Sequence, residues 1–177
     1  LIRAEDEGGK LSEDEMVTTA ILLLNAGHEA TVHAIGNGIK SLLEWKHAGP
    51  VSATLVDETL RYDAPLHMFT RYALEDLEYN GLNLRKGEVV GLLLGAANRD
   101  ETRFAQAERL VADRNPNPHV AFGAGVHFCI GAPLARLELQ IALDTLWSRC
   151  PGLRLAAEPS YRDSFHFHGL ESLRVTC

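Results

Sequence analysis

The apolar positions are densest in residues 20–27, where hydrophobic side chains face almost every direction around a helix. From Glu13 to about Glu44 the chain has no proline, and nothing in this stretch forbids a helix. Ser12 and Glu15 have the spacing of a capping box, which starts a helix by satisfying its first free amides. The pattern therefore predicts one helix, about 48 Å long, that runs through a core rather than over a surface.

Two later segments also have helical spacing. Residues 51–62 have an apolar face and precede the helix-ending pair Ala64-Pro65. Residues 133–149 form the last predicted helix, which has a proline in its first turn. The apolar face predicted for this last helix consists of Leu134, Leu137, Ile141, Ala142, Thr145 and Leu146.

The segments between and after these helices predict a small antiparallel β part. Asn80-Gly81 lies between two weakly alternating runs and is a strong hairpin signal. We expect a second hairpin near the end of the chain. The predicted extended segments are residues 66–70, 72–78, 81–84, 88–94, 164–168 and 173–176. The predicted fold class is mainly α with this small antiparallel β part.

Composition and charge narrow the class of protein. The 177 residues are 46% hydrophobic and 23% charged, as in an ordinary globular domain. A net charge of −7 argues against general nucleic-acid binding, and no apolar run approaches the length of a membrane-spanning helix. Cys129, Cys150 and Cys177 have no framework spacing, which indicates a reducing compartment such as the cytoplasm. Residues 1–10 are polar and predict the end of a helix followed by a loop.

One cysteine lies in a glycine-rich bend immediately before the last predicted helix. Residues 122–131 have the form F-G-x-G-x-H-x-C-x-G, with Cys129 at the cysteine position. Free amides and the dipole at a helix N-terminus stabilise a thiolate, and glycines let a bulky group come close. Cys129 therefore suits an axial ligand of haem iron. The other interpretations are a small buried thiol and a zinc ligand, for which no C-x-x-C partner is present.

The pattern in residues 122–131 resembles the cysteine-ligand loop of the cytochrome P450 family. The resemblance implies that Cys129 binds the iron of haem b and that the fold is the C-terminal portion of a P450. It also implies that Arg71 and His127 bind the haem propionates, although a surface charge and a loop cap are the plainer interpretations. Phe122 is expected to cover the sulfur, to pack as a core aromatic residue, or both. The implied cofactor-binding residues are Arg71, Phe122, Gly123, Gly125, His127 and Gly131.

Residues 26–31, Ala-Gly-His-Glu-Ala-Thr, resemble the oxygen-binding groove in the long central helix of the same family. The resemblance implies that Gly27 makes room for dioxygen and that Glu29 belongs to a proton-delivery path. Ala30 stands where the family usually has threonine, and Thr31 lies about 100° further round the helix. Protons must then pass through water, through Thr31 by local distortion, or from a substrate hydroxyl. Without the resemblance, a tightly packed glycine and a polar helix edge explain the same residues.

Glu58 and Arg61 are three residues apart and so share a face of the predicted second helix. Alone, they are an ordinary surface pair that contributes little. In order and spacing they resemble the E-x-x-R motif of the family, in which the pair is buried and joined by a later arginine. Residues 104–110 match that later segment approximately, which makes Arg109 the expected third member of a structural triad. Residues 96–100 resemble the family's A-N-R-D segment, which opens a short helix.

The motifs match only the C-terminal half of a family member, so residues 1–177 are predicted to form a partial P450 domain. The resemblance implies a monooxygenase that inserts one atom of dioxygen into a small apolar substrate. Its electrons would come from NAD(P)H through a reductase and a ferredoxin-type donor, docked by Arg136 with Arg103 or Arg114. Two alternatives stay open: a peroxide-using haem-thiolate enzyme, suggested by Ala30, and a non-catalytic fragment with weak or no haem binding.

Overall fold

The computed structural model describes residues 11–177, so the helix end and loop predicted for residues 1–10 lie outside the described part. The fold is mainly helical, with small antiparallel sheets. The helices are α1 (Glu13–Glu44), α2 (Ala53–Tyr62), α3 (Leu94–Ala97) and α4 (Ala132–Arg149), with a 3-10 helix at Gly125–His127. The strands are β1 (Met68–Tyr72), β2 (Leu77–Tyr79), β3 (Leu82–Leu84), β4 (Val89–Leu93), β5 (Arg154–Leu155) and β6 (Val175–Thr176). Within the described range, no helix combines the length and the apolar character needed to cross a membrane.

Helix α1 begins and ends where the sequence predicts. The Glu15 amide donates to Ser12 Oγ at 3.3 Å and the Ser12 amide donates to Glu15 Oε2 at 2.8 Å, which completes the capping box. The hydrogen bond from the Ser12 backbone amide, followed by the one from the Ser12 side chain, lowers the pKa of Glu15. The second half of α1 is buried, whereas Leu22 and Leu24 in its first half are 63% and 74% exposed. The prediction of a helix buried along its middle is wrong there, because these side chains face solvent in the described part of the chain.

The hydrophobic core lies where α1, α2 and α4 meet. Leu42, Leu55, Leu139 and Leu143 are almost completely buried in it. Gly38 lets α1 approach α4 closely, since a Cβ atom at this position would lie 3.3 Å from Leu143 Cδ1. The core therefore fixes α4, and with it the bend that precedes α4, relative to α1.

Helix α4 buries a different face from the predicted one. Leu134, Leu137 and Ile141 are 61%, 53% and 57% exposed, whereas Leu139 and Leu143 are 1% and 0% exposed. Apolar residues occur at helical spacing on more than one side of α4, so spacing alone could not select the side that packs on α1 and α2.

The antiparallel β part is confirmed for the middle of the chain. Strands β1 and β4 pair along the five residues of each. The hairpin predicted at Asn80-Gly81 joins β2 to β3, and both residues have positive φ angles, 50° and 80°. Residues 96–100 do not open a helix, because Asn98 instead ends α3. The Asn98 side chain is buried and its Oδ1 accepts the Val120 amide at 2.8 Å.

The predicted terminal hairpin is wrong. Strand β6 pairs with β5, so that Thr176 lies opposite Arg154 rather than opposite residues 164–168. The chain before β6 packs on α1 at Gly169, where an added Cβ atom would collide with the His33 ring. This tertiary contact outweighs the local alternation from which the hairpin was predicted.

Candidate functional site

The loop around Cys129 is a tight bend that ends at the N-terminus of α4. Gly123 and Gly125 have φ angles of +71° and +68°, a conformation that favours glycine. The Cys129 amide donates to the Phe122 carbonyl at 3.0 Å, and the Ala132 amide donates to the Cys129 carbonyl at 3.3 Å. These contacts present a free, exposed thiol just before α4. The interpretation of Cys129 as a buried structural thiol is therefore wrong.

Apolar residues flank the exposed thiol. Val126, Phe128 and Ile130 are 97%, 49% and 89% exposed. Gly131 lies beside the sulfur, since a Cβ atom at this position would be 3.8 Å from Cys129 Sγ. Exposed apolar side chains grouped in this way are typical of a place where an apolar partner or ligand binds.

The Phe122 ring lies at the inner edge of this loop. Its centroid is 6.3 Å from that of Phe128, and the guanidinium of Arg136 lies 4.6 Å above it. Phe122 is partly buried and packs against the hydrophobic core. Phe122 thus joins the core to the bend that carries the thiol.

The predicted oxygen-binding groove lies on the exposed half of α1. A Cβ atom on Gly27 would meet no atom within 4 Å, so space is open beside this residue. The Glu29 side chain is half exposed, and its Oε1 lies 3.6 Å from His33 Nε2. Helix α1 is continuous from Glu13 to Glu44, so the local distortion considered for Thr31 is absent from the described helix.

The sequence analysis did not predict His33 as a residue of this site. It is buried, and its Nε2 has no hydrogen-bond partner among the described residues. Its position four residues after Glu29 was the available signal, because residues i and i+4 meet on one helix face. The result is a carboxylate and an imidazole side by side on α1.

Arg71 and His127 are the two predicted propionate ligands. Arg71 lies exposed on β1, where its Nη1 donates to the Thr70 carbonyl at 2.8 Å. His127 lies exposed in the 3-10 helix of the bend. Among residues 11–177, neither side chain forms an ion pair with a carboxylate. Both donors are therefore available to an anionic group.

The Glu58–Arg61 pair is completely buried. Arg61 Nε and Nη2 each donate to a different oxygen of Glu58, both at 2.8 Å. Arg61 also donates to the carbonyls of Asn98, Ala107 and Arg109, at 2.8, 2.9 and 2.8 Å. The pair therefore ties α2 to the segment that runs between α3 and the cysteine bend.

The third arginine of this cluster is Arg114, and the prediction of Arg109 is wrong. Arg114 Nε donates to Glu58 Oε2 at 2.9 Å, and its side chain is 8% exposed. Arg109 supplies only its backbone carbonyl, while its guanidinium lies 5.7 Å from the Trp45 ring. A turn closed by the Arg114 amide, which donates to the Val111 carbonyl at 3.1 Å, follows Arg109. No spacing rule in the sequence shows which arginine lies inside.

A second ion pair holds the bend from the other side. Arg136 Nε on α4 donates to Asp57 Oδ1 at 2.6 Å, and His119 Nε2 lies 3.3 Å from the same oxygen. Burial alone would raise the pKa of Asp57, but the hydrogen bonds from His119 and Arg136 outweigh it and lower the pKa. Arg114 is thus buried against Glu58, whereas the side chain of Arg136 is paired with Asp57 and is still 37% exposed. Arg103 stays exposed.

One further cluster has the residue types of a metal site. Asp63, His67 and His168 offer ligand atoms that all lie within 4.8 Å of one another. The two imidazole rings stack with centroids 3.8 Å apart and planes 14° apart. A metal must lie in the plane of each ligating ring, so two parallel rings cannot hold one ion. Among the described residues this cluster is a stacked polar core, in which the Tyr161 hydroxyl donates to Asp63.

Comparison with known proteins agrees with this fold. Residues 50–151 match the family model described as Cytochrome P450. The biotin biosynthesis cytochrome P450 of Bacillus subtilis (strain 168) is 46% identical over 178 residues, covering 96% of this chain and 45% of that protein. The vitamin D(3) 25-hydroxylase of Pseudonocardia autotrophica is 40% identical over 184 residues, covering 98% of this chain and 46% of that protein. The solved structure of the bacillaene polyketide synthase cytochrome P450 PksS from Bacillus subtilis 168 superposes with a TM-score of 0.90 at 41% identity, covering 96% of this chain and 47% of that chain.

A mainly α-helical fold with an exposed thiol at a glycine-rich bend suits the haem-thiolate class of protein. The chain belongs to the cytochrome P450 family. It spans about half the length of the relatives it matches, 45% and 46% of the two named above.

Proposed function

We propose that the protein to which this chain belongs is a haem-thiolate monooxygenase acting on a small apolar molecule. One observation carries the proposal: the free thiol of Cys129 stands exposed at a helix N-terminus, flanked by exposed apolar side chains. In its products, one atom of dioxygen is in the substrate and the other is in water. The family match and the relatives named as P450s support this class of reaction.

The donor set of the bend fits haem b. Cys129 offers one soft anionic ligand, and the exposed Val126, Phe128 and Ile130 offer an apolar surface to a porphyrin. Gly131 leaves the sulfur accessible, because any larger residue would stand beside it. Arg71 and His127 would hold the propionates, for which arginine offers paired donors. Thiolate-bound haem, once in place, supplies the activation of dioxygen.

Residues of α1 would manage space and protons for the reaction. Gly27 leaves room for a small ligand, since no atom lies within 4 Å of where its Cβ would be. Glu29 would hold a proton at its carboxylate, next to the His33 Nε2 at 3.6 Å. Ala30 provides no hydroxyl. The regular helix places Thr31 about 100° further round its axis than Ala30. Ordered water or a substrate hydroxyl would therefore complete the proton path.

Two neighbouring acids on α2 would hold the bend in shape. Glu58 fixes the segment before the bend through Arg61 and Arg114. Asp57 fixes the helix after the bend through Arg136. Because all of these contacts are partly or wholly buried, the thiol is presented on a rigid support, as a metal ligand requires.

A separate part of the proposal concerns the source of the electrons. We propose NAD(P)H as the source of electrons, with a reductase and a ferredoxin-type donor as the carriers, in the reducing cytoplasm. Arg136 is half-buried in its pair with Asp57. Charge reversal at this position would therefore disturb the fold as well as docking. The exposed Arg103 is the better position for testing an electrostatic contact.

Two observations favour the alternative functions, which are a fragment that binds haem weakly and a peroxide-using enzyme. The exposed first half of α1, with Leu22 and Leu24 in solvent, favours a chain that holds haem weakly by itself. Ala30 favours a peroxide-using enzyme, because the usual hydroxyl for proton delivery is missing. Comparing product formed with peroxide against product formed with dioxygen and reductant separates that enzyme from a monooxygenase. Ala30→Thr is expected to change product per electron pair in the monooxygenase.

Haem titration of the purified chain tests the proposal, with a matched pair of cysteine variants. The expected result is a Soret band that saturates with the wild-type chain and with Cys150→Ser, and that is lost or strongly shifted with Cys129→Ser. A Soret band of the same position and amplitude in all three proteins would contradict Cys129 as the ligand. Failure of the wild-type chain to develop any band would favour the fragment that binds little or no haem.

A further inference from the structure

Two of the three cysteines lie together at the far end of α4. Helix α4 ends at Arg149, and the Cys150 amide donates to the Leu146 carbonyl at 2.9 Å. The Leu153 amide then donates to the Cys150 carbonyl at 3.0 Å, so the chain turns tightly before β5. This turn brings Cys150 back beside the start of β5.

Strand register brings Cys177 to the same place. Thr176 of β6 lies opposite Arg154 of β5, so the next position, Cys177, comes beside the turn. A Cβ atom on Gly152 would lie 3.7 Å from the Cys177 carbonyl carbon. The neighbouring Cys150 thiol, followed by burial, raises the pKa of Cys177. The two side chains are therefore neighbours although the sequence separates them widely.

We propose that Cys150 and Cys177 form a reversible disulfide by exchange with a low-molecular-weight disulfide such as oxidised glutathione. A disulfide needs neighbouring cysteine side chains, and the turn after Cys150 and the register of β6 bring these two to the same place. Cys177 is exposed and Cys150 is partly exposed, so a small reagent reaches the pair. Cys129 takes no part, because α4 separates it from Cys150 by about 27 Å of helix, several times the reach of a disulfide.

The exchange balances in two steps. One thiolate of the pair attacks a sulfur of the reagent, forms a mixed disulfide, and releases one reagent thiolate, which takes up a proton. The second cysteine then loses its proton, attacks the protein-bound sulfur, and releases the other reagent thiolate. Two cysteine thiols are thereby oxidised by two electrons in total, and one disulfide of the reagent is reduced to two thiols.

The bond would fasten the end of a segment that already packs on the rest of the fold. Between β5 and β6 the chain carries Phe167, which bridges to Leu66, and His168, whose amide donates to the Pro65 carbonyl at 2.9 Å. Strand β6 itself pairs through two residues. A covalent link at the end of β6 closes this segment into a loop and restricts its unfolded states. The oxidised chain is thus a more firmly closed form of the same fold.

Peptide mapping of the native chain tests the pair. The purified protein is equilibrated with glutathione buffers of increasing oxidised fraction, quenched with acid, and digested with trypsin without reduction. Cleavage after Arg149, Arg154 and Arg174 isolates each cysteine of the pair on its own short peptide. We expect the Cys150 peptide to be joined to the Cys177 peptide, and the joined peptide to disappear on reduction with dithiothreitol.

Variants and a denatured control decide between outcomes. Cys129→Ser should leave the joined peptide unchanged, and Cys177→Ser should replace it with a glutathione adduct on Cys150. Equilibration in concentrated urea should lower the yield of the joined peptide several-fold, since the fold no longer holds the thiols together. Separate glutathione adducts on Cys150 and Cys177, bonds that involve Cys129, joined peptides found only in covalent dimers, or equal yields in urea would each overturn the proposal.

Discussion

Glu58 carries the densest set of polar contacts at the residue scale. Although its side chain is completely buried, it accepts hydrogen bonds from Arg61, Arg114 and Asn117 and from the Val111 amide. A buried carboxylate with this many donors costs little as long as each partner stays. Removing one partner leaves an uncompensated charge in a dry environment, which is far more costly than losing a surface pair.

The two arginines near this site differ in their predicted effect on stability. Arg114→Ala should lower the free energy of unfolding by about 3 to 5 kcal/mol, because it breaks a buried ion pair at Glu58. Arg109→Ala is the matched control and should cost about 1 kcal/mol or less, since only an exposed contact with an aromatic ring is lost. Urea unfolding of both variants measures the difference. Equal losses, or a larger loss for Arg109→Ala, would contradict the assignment of Arg114 to the cluster.

His67 makes stability depend on pH. Burial, followed by the neighbouring His168, lowers the pKa of His67 to about 4. An unfolded histidine titrates near pH 6.5, at about the usual pKa. The folded state therefore favours neutral His67, so its stabilising effect is complete above about pH 6.5 and is lost as the pH falls toward about 4.

Replacing this histidine should remove part of the pH dependence. In His67→Gln, the fall in the free energy of unfolding between neutral pH and about pH 5 should be smaller than in the wild-type chain. His28→Gln, at an exposed position on α1, serves as the control and should keep the wild-type dependence. Urea unfolding at several pH values gives the comparison. An unchanged slope in His67→Gln would show that His67 is not the group responsible.

At the residue scale, the sequence predicted contacts between residues that lie close together in the chain. Glu58 and Arg61 share one helical turn, and Ser12 and Glu15 share another, so local spacing was sufficient for both pairs. Arg114 meets Glu58 across 56 positions of sequence. Contacts of that separation depend on how the intervening segment folds back, which local periodicity does not encode.

At the scale of elements, α4 connects the exposed thiol at one end to the cysteine pair at the other. Its Leu139 and Leu143 pack into the core shared with α1 and α2. Its opposite side, including Leu137 and Ile141, is exposed in the described chain. The packing of α4 therefore fixes the bend that carries Cys129 relative to the core.

Two truncations on α4 distinguish its buried side from its exposed side. Leu143→Ala should lower the free energy of unfolding by about 2 to 5 kcal/mol, because it removes buried methyl groups and leaves a cavity. Ile141→Ala should change it by about 0.5 kcal/mol or less, as expected of an exposed position. Circular dichroism during urea unfolding measures both. Similar losses would contradict the burial of Leu143 and the exposure of Ile141.

The sequence predicted the bounds of the helices and the hairpin better than it predicted which face of a helix is buried or which strands pair. The bounds of α1, the proline-initiated α4 and the Asn80-Gly81 hairpin all depend on local signals, and each is present. The buried face of α4 and the partner of β6 depend on tertiary contacts, and both were predicted wrongly. A helix that is apolar on two sides carries no local signal of which side meets the core.

At the scale of the whole molecule, the chain exposes more apolar surface than a self-sufficient domain would. Leu22, Leu24, Val126 and Ile130 are all more than half exposed. The first two lie on α1 and the others flank the thiol, so the apolar surface includes the predicted oxygen groove and the ligand bend. Exposed apolar side chains such as these favour association when nothing covers them.

Self-association of the isolated chain is the expected consequence. Sedimentation velocity should show concentration-dependent oligomers for the wild-type chain, and the double variant Leu22→Lys with Leu24→Lys should shift the distribution toward monomer. A variant with the same added charge at exposed polar positions, Thr18→Lys with His28→Lys, should associate nearly as the wild type does. If both variants dissociate equally, net charge rather than the apolar surface governs association.

The reduced carbon monoxide complex tests the central claim most directly, because its absorption maximum reports the identity of the proximal iron ligand. Haem-loaded wild-type chain, reduced and exposed to carbon monoxide, should show the red-shifted band of a thiolate ligand, and Cys129→His should show the band of an imidazole ligand. A wild-type band at the imidazole position, or a red-shifted band that persists in Cys129→His, would contradict Cys129 as the thiolate that holds the haem.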